Sequence, residues 1–173
     1  EDFRGIMGKT MDVIAAKFFP DMPEKERMEL LDKCGEYENE YLSGHGAVLY
    51  PGVEETFAKL KEKYELYIVS NCQSGYIEAF LSYYNLGKYI SDIECYGNNE
   101  KQKEDNIALV VSRNALTDAV YVGDIQSDYE SSKKAGVAFI HAAYGFGTID
   151  DEVPEIENLS QLPEVVEKVF AGK

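Results

Sequence analysis

No stretch of the 173 residues approaches the run of roughly 20 apolar residues that a membrane-spanning helix needs. Cations are also scarce: 17 Lys and Arg stand against 32 Asp and Glu, a formal charge of −15. The first absence predicts no membrane contact. The second excludes nucleic acid and anionic membrane surfaces as partners, because the whole surface would repel them. An anionic ligand would need local help against that field, such as a metal ion with one or two lysines. Cysteine is short as well: Cys34, Cys72 and Cys95 are odd in number, widely separated and without paired spacing. They predict reduced thiols in a cytoplasmic protein, neither a disulfide framework nor a zinc site, and no signal-peptide pattern speaks against that location. The two histidines, His45 and His141, lie too far apart in the pattern to form a metal pair. Both read as polar turn residues, with a substrate contact as the alternative for His141. Internal repeats and low-complexity segments are absent.

What is present suffices for a packed core. Hydrophobic residues make up 45% of the chain, and its 13 tyrosines spread without a stripe, as packing residues do. Residues 2–43 carry a helical pattern throughout: "DFRGIMGKTMDVIAAKFF" spaces Phe3, Met7, Met11, Ile14 and Phe18 at helical intervals, and "RMELLDKCGEYENEYL" follows a proline-bearing helix entry. With no strand of their own, these helices predict an accessory unit. The turn-rich passage Gly44–Pro51 is the expected boundary. Beyond it, "ELYIVS", "ISDIECYG", "DAVYVG" and "VAFIHA" read as strands. They alternate with the helical segments "VEETFAKLKEKY", "SGYIEAFLSYYNL" (entered at Ser74), "KEDNIALVVSRN", "SDYESSKKAG" and "LSQLPEVVEKVF". Such alternation predicts right-handed crossovers and an α/β fold with a doubly wound parallel sheet.

In an open parallel sheet, ligands bind beyond the carboxyl ends of the strands, so the residues leaving each strand are the candidates for a site. "YIVS" leaves with Ser70 and Asn71; the second strand leads to Lys101 and Lys103 at the head of a helix; "YVG" leaves through Gly123 with Asp124, and Asp128 follows. Taken singly, each is ordinary turn or cap chemistry, and Ser127 or Asp128 would cap the helix that follows. At three successive strand ends, a hydroxyl with an amide, a lysine and a carboxylate pair suit a phosphate group with a Mg²⁺ ion. The carboxylates can hold the ion directly or through water. Ser70 and Asn71 can donate to phosphoryl oxygens, and the lysine adds charge where a helix start already favours an anion.

The ordered set "YIVSN", a lysine in "EKQKEDN" and "YVGDIQSD" resembles motifs two, three and four of the haloacid dehalogenase superfamily. "GVAFIHAAYGFGT" is similar to its phosphoglycolate phosphatase-like branch. The resemblance implies that residues 1–43 are part of a helical cap and that 44–173 are most of an α/β core. It makes Ser70 a phosphoryl-binding residue helped by Asn71, Gly123 part of the substrate loop, and Lys103 the lysine of motif three, with Lys101 the close alternative. It makes Asp124 a direct Mg²⁺ ligand and Asp128 either a second direct ligand or one that acts behind the first. The family's first motif is a strand ending in Asp-x-Asp-Gly, whose first aspartate is the nucleophile and whose second is the general acid and base. No such stretch occurs here. The core is therefore expected to lack its first strand, which a longer protein or a separate piece would supply, and the 173 residues alone should not turn over.

The expected function is a Mg²⁺-dependent phosphatase of a small phosphorylated metabolite, working through an aspartyl phosphate. A non-catalytic phosphate- and metal-binding module and a sugar phosphomutase are the alternatives. A monomer is the favoured state.

Overall fold

The computed structural model describes residues 3–172. The helical expectation for Asp2 lies outside them. The rest of the first stretch is not one helix: Phe3–Ile6 make a single 3₁₀ turn and α1 begins only at Met11 (Met11–Phe18). Gly8 explains the break. It sits at φ +72°, and a β-carbon there would lie 2.2 Å from Ile125 Cδ1, so the chain bends at a residue that only glycine accommodates. Helix α2 (Glu24–His45) then runs on past the expected boundary, taking in Gly44 and His45 before the left-handed Gly46. It packs across α1 and against α4 (Tyr76–Tyr83). Asn39 donates to the Ser74 carbonyl at 2.8 Å, and Gln73 to Glu38 at 2.9 Å.

The remaining elements follow in alternation: α3 (Val53–Lys61), β1 (Leu66–Ser70), α4, β2 (Ile90–Cys95), α5 (Tyr96–Asn99), α6 (Lys103–Arg113), β3 (Val120–Gly123), α7 (Gln126–Lys134), β4 (Ala138–Ala142), β5 (Glu155–Ile156) and α8 (Leu162–Ala171). The four expected strands are all present. The two-residue β5 is too short to leave a pattern, and the end of "ISDIECYG" turns into the four-residue α5. Gly75, not Ser74, precedes α4, in the left-handed conformation.

All strand pairs are parallel, but the sheet is divided. β1 pairs with β2, with Ser70 opposite Cys95, while β3, β4 and β5 form a second sheet in which Gly123 lies opposite His141. Each sheet has its own core. Ile77, Leu81, Leu86 and Cys95 are buried together beside the first; Leu60, Ile140, Ala142, Ile156, Leu162 and Val166 are buried together beside the second. Between β1 and β3 lies a cavity of about 620 Å³, walled by Leu66, Ile68 and Val69 on one side and Val120 and Val122 on the other. The Tyr121 hydroxyl spans it, donating to the Val69 carbonyl at 3.0 Å.

Helix α6 ties the halves together, packing on β1, on β2 and on α7. Ile107 and Val110 are buried one turn apart, and Asn106 is fully buried but satisfied by Asn99 at 2.8 Å and the Lys101 carbonyl at 3.2 Å. At its far end Arg113 donates to Asp92 at 2.8 Å and to Glu94 at 2.9 Å on β2.

Candidate active site

β1 and β3 end in the residues singled out from the sequence, and after β2 the chain passes through α5 before Lys103 opens α6. Lys103 opens α6 with its side chain buried, 8% of the residue exposed. Its ammonium pairs with Asp128 Oδ1, itself on a residue 4% exposed in the first turn of α7. Burial alone would pull the Lys103 pKa down; Tyr121 and the Asp128 carboxylate outweigh it and hold the lysine above its usual range, so it stays charged. Lys101 is exposed, and its backbone is used for Asn99 and Asn106, so Lys103 is the lysine that joins the carboxylates.

Asp128 is occupied on both oxygens, since Oδ2 accepts the Asp124 amide at 3.1 Å. The helix begins earlier than expected: Ile125 is the N-cap without any side-chain cap, and neither Ser127 nor Asp128 fills that place. Asp128 is the third helical residue and reaches back over the turn. Gly123 makes that approach possible, because a β-carbon there would sit 2.5 Å from Asp128 Cβ and 2.7 Å from its Oδ2.

Asp124 is held from the other side by a loop that lies outside the strand-end pattern. The Phe146 amide donates to Asp124 Oδ2 at 2.8 Å, and a β-carbon on Gly145 would lie 2.3 Å from Asp124 Cβ. The signal in the chain is the "YGFGT" spacing, in which glycine lets backbone close on a carboxylate. Tyr121, in the middle of β3, is a further member that the strand ends do not mark. Burial pushes its phenol up to about 12, so it stays neutral, with the Lys103 ammonium 6.0 Å from its ring centroid.

On β1, the Ser70 hydroxyl accepts the Cys72 amide at 3.3 Å. Asn71 donates to the Gly8 carbonyl at 2.8 Å, while its Oδ1 is buried without a partner among the described residues. The histidines stand apart. His45 ends α2, stacked on Tyr41 with ring centroids 4.3 Å apart; His141 is buried in β4 with Nδ1 3.6 Å from Glu155. Among the described residues no three His, Cys, Asp or Glu gather as a metal centre. A carboxylate has about four lone-pair sites, so Asp124 keeps capacity for a cation beyond its bond to Phe146. A Mg²⁺ ion that retains several waters needs only one or two such ligands.

The family model for haloacid dehalogenase-like hydrolases matches residues 1–142. The chain belongs to that family. Among curated relatives, phosphoglycolate phosphatase of Escherichia coli (strain K12) is 26% identical over 148 residues, 79% of this chain and 57% of that enzyme. Phosphoglycolate phosphatase of Salmonella typhi is 26% identical over 135 residues, 73% of this chain and 52% of that enzyme. The chain therefore spans little more than half the length of these relatives. Solved structures share the haloacid dehalogenase-like fold. A structure from Clostridium acetobutylicum, described as that of a predicted phosphatase, superposes with a TM-score of 0.75 at 17% identity, covering 93% of this chain and 78% of that one. A family hydrolase from Bacillus subtilis, solved with magnesium bound, superposes with a TM-score of 0.63 at 17% identity, covering 90% and 68%.

Proposed function

We propose that these residues are the cap and most of the core of a Mg²⁺-dependent phosphatase that hydrolyses a small phosphorylated metabolite. The observation that carries this reading is the chain of contacts from Lys103 through Asp128 to Asp124, set at the strand ends beside an unfilled slot in the sheet. Asp124 is the residue that would hold the ion. Asp128, with both oxygens engaged, fixes Lys103 and the Asp124 turn, which favours the role behind the first ligand over direct ligation. The ion, when bound, would neutralise charge on the phosphoryl group.

Lys103, Ser70 and Asn71 would bind phosphoryl oxygens, with the ammonium supplying charge where it develops in the transition state. The slot between β1 and β3 favours an apolar strand as its occupant, since each flanking strand turns an unpaired edge towards it. Such a strand, supplied from outside the 173 residues, would carry the nucleophilic aspartate. Its carboxylate would attack phosphorus as the ester bond breaks, a second aspartate would protonate the leaving oxygen, and water would then release phosphate. Helices α1 and α2 would form the cap that shields this step from bulk water.

The test is turnover of phosphoglycolate and other phosphate monoesters by a protein that includes the strand. Asp124→Asn is expected to lower kcat by on the order of a hundredfold or more. Turnover in Mg²⁺ at an undiminished rate contradicts the role of Asp124. Phosphate binding without any turnover by that protein indicates the non-catalytic module instead.

A further inference from the structure

β1 and β2 run in register to their ends, so the turns that leave them are adjacent. Ser70 lies opposite Cys95, and beyond that pair the Gly97 amide donates to the Cys72 carbonyl at 3.0 Å. A β-carbon on Gly97 would lie 2.1 Å from the Ser74 amide nitrogen and 2.7 Å from Gln73 Cα, so the two turns touch backbone to backbone. This contact brings together two cysteines that are distant in sequence. Cys72 packs against the buried cluster that holds Cys95, while Cys34 is exposed elsewhere on α2.

The two sulfurs differ. The neighbouring Cys72 thiol, together with the Asn98 and Gly97 amides, draws the Cys95 pKa down against its burial; the nearby Cys95 sulfur and burial push Cys72 up. One is a thiolate-prone sulfur and the other a protonated partner beside it. In the thiol form Cys95 Sγ also lies 3.7 Å from the Gln73 carbonyl. Cys72 in turn adjoins the candidate phosphate loop, since its amide donates to the Ser70 hydroxyl.

We propose that Cys72 and Cys95 are a reversible oxidation site whose disulfide resets the turn that carries Ser70 and Asn71. With a peroxide as oxidant, the Cys95 thiolate attacks one peroxide oxygen, the O–O bond breaks, and a sulfenic acid and water result. The Cys72 thiol then loses its proton and attacks the sulfenyl sulfur; the S–S bond forms as a second water leaves. The two thiols give up two electrons and the peroxide takes them. A covalent S–S bond is shorter than the thiol contact it replaces, so it draws Cys72, and the amide held on Ser70, towards β2. The effect on ligand binding rests on the reading of Ser70 and Asn71 as a phosphate site. The disulfide itself does not.

The experiment uses protein carrying Cys34→Ser, which removes the exposed thiol. After hydrogen peroxide treatment, blocking with N-ethylmaleimide and digestion, mass spectrometry is expected to find a peptide cross-linked through Cys72 and Cys95, reversed by dithiothreitol. Two alkylated thiols, a sulfinic acid at Cys95 without the cross-link, or pairing only between molecules overturns the proposal. In parallel, oxidation is expected to weaken binding of inorganic phosphate in Mg²⁺ about tenfold, the scale of one hydrogen bond to a charged group. Cys95→Ala should remove that response. A cross-link that leaves phosphate affinity unchanged overturns the coupling to Ser70. Reduced protein that binds no phosphate counts against the phosphate site, whereas the disulfide still stands or falls on the cross-linked peptide.

Discussion

Lys103 and Asp128 are each nearly enclosed, so neither can be altered without stranding the other. Lys103→Met removes the ammonium while leaving a buried carboxylate, and should cost about 3–5 kcal/mol. Adding Asp128→Leu should recover much of that loss, because an apolar pair of similar volume avoids the unpaired charge. Urea denaturation of the wild type, both single variants and the double variant measures the coupling; additive effects would contradict it. Gly145→Ala tests the other side of the turn. Its new β-carbon would collide with the Asp124 side chain, so Asp124 must shift, and the expected result is weakened Mg²⁺ affinity by calorimetry with the fold retained. Much of this site is legible in the chain, because Ser70, Asn71, Lys103 and Asp124 each follow a strand or open a helix. What is not legible are contacts made by backbone. The Gly8 carbonyl on Asn71 leaves no signature, and the Phe146 amide on Asp124 leaves only the glycine spacing of "YGFGT".

At the level of elements, the joint between α6 and β2 depends on charge. Arg113 faces Asp92 and Glu94, and Glu94 is only 5% exposed, with further bonds from the Cys95 amide at 3.1 Å and Asn98 at 3.0 Å. Burial tends to raise both carboxyl pKa values. For Asp92, bonds from Asn114, the Ile93 amide and Arg113 outweigh it; for Glu94, bonds from Asn98, the Cys95 amide and Arg113 do so; both end below their ordinary range. A depressed folded-state pKa means that the unfolded chain takes up protons first. The stabilisation is therefore complete above the unfolded values near 4 and is lost as pH falls through the folded ones. Arg113→Gln should lower stability at pH 7 by about 1–3 kcal/mol, chiefly by leaving Glu94 under-satisfied, and should flatten the loss of Tm below about pH 4. Equal acid slopes for variant and wild type would mean that Arg113 does not hold these carboxyls down. The elements themselves are readable where pattern and punctuation agree, as in α6 with its buried Ile107 and Val110. The pattern fails at residues 3–18, where Gly8 must pass Ile125, a contact made by a residue far along the chain.

At the scale of the whole molecule, the unusual feature is a parallel sheet in two pieces. Parallel sheets are normally covered on both faces and continuous across their width. Here β1 and β3 face each other across an apolar cavity of about 620 Å³, with separate cores on either side and α6 joining them. Two cores with a thin connection should open more easily than one. If a strand seats between them, it adds main-chain hydrogen bonds to both edges and turns two small cores into one. The 173 residues alone are therefore expected to bind the hydrophobic dye ANS and to unfold in urea with a shallow slope, since the slope scales with the surface that unfolding exposes. A chain that also carries the proposed strand should suppress the dye signal and steepen the transition, with Tm rising by about 2–4 °C for each kcal/mol gained. Equal dye binding by the two chains would mean that the slot is not where the strand sits. The nucleophile would then have to reach Asp124 and Lys103 from outside the sheet, a geometry in which substitutions lining the slot leave turnover unchanged.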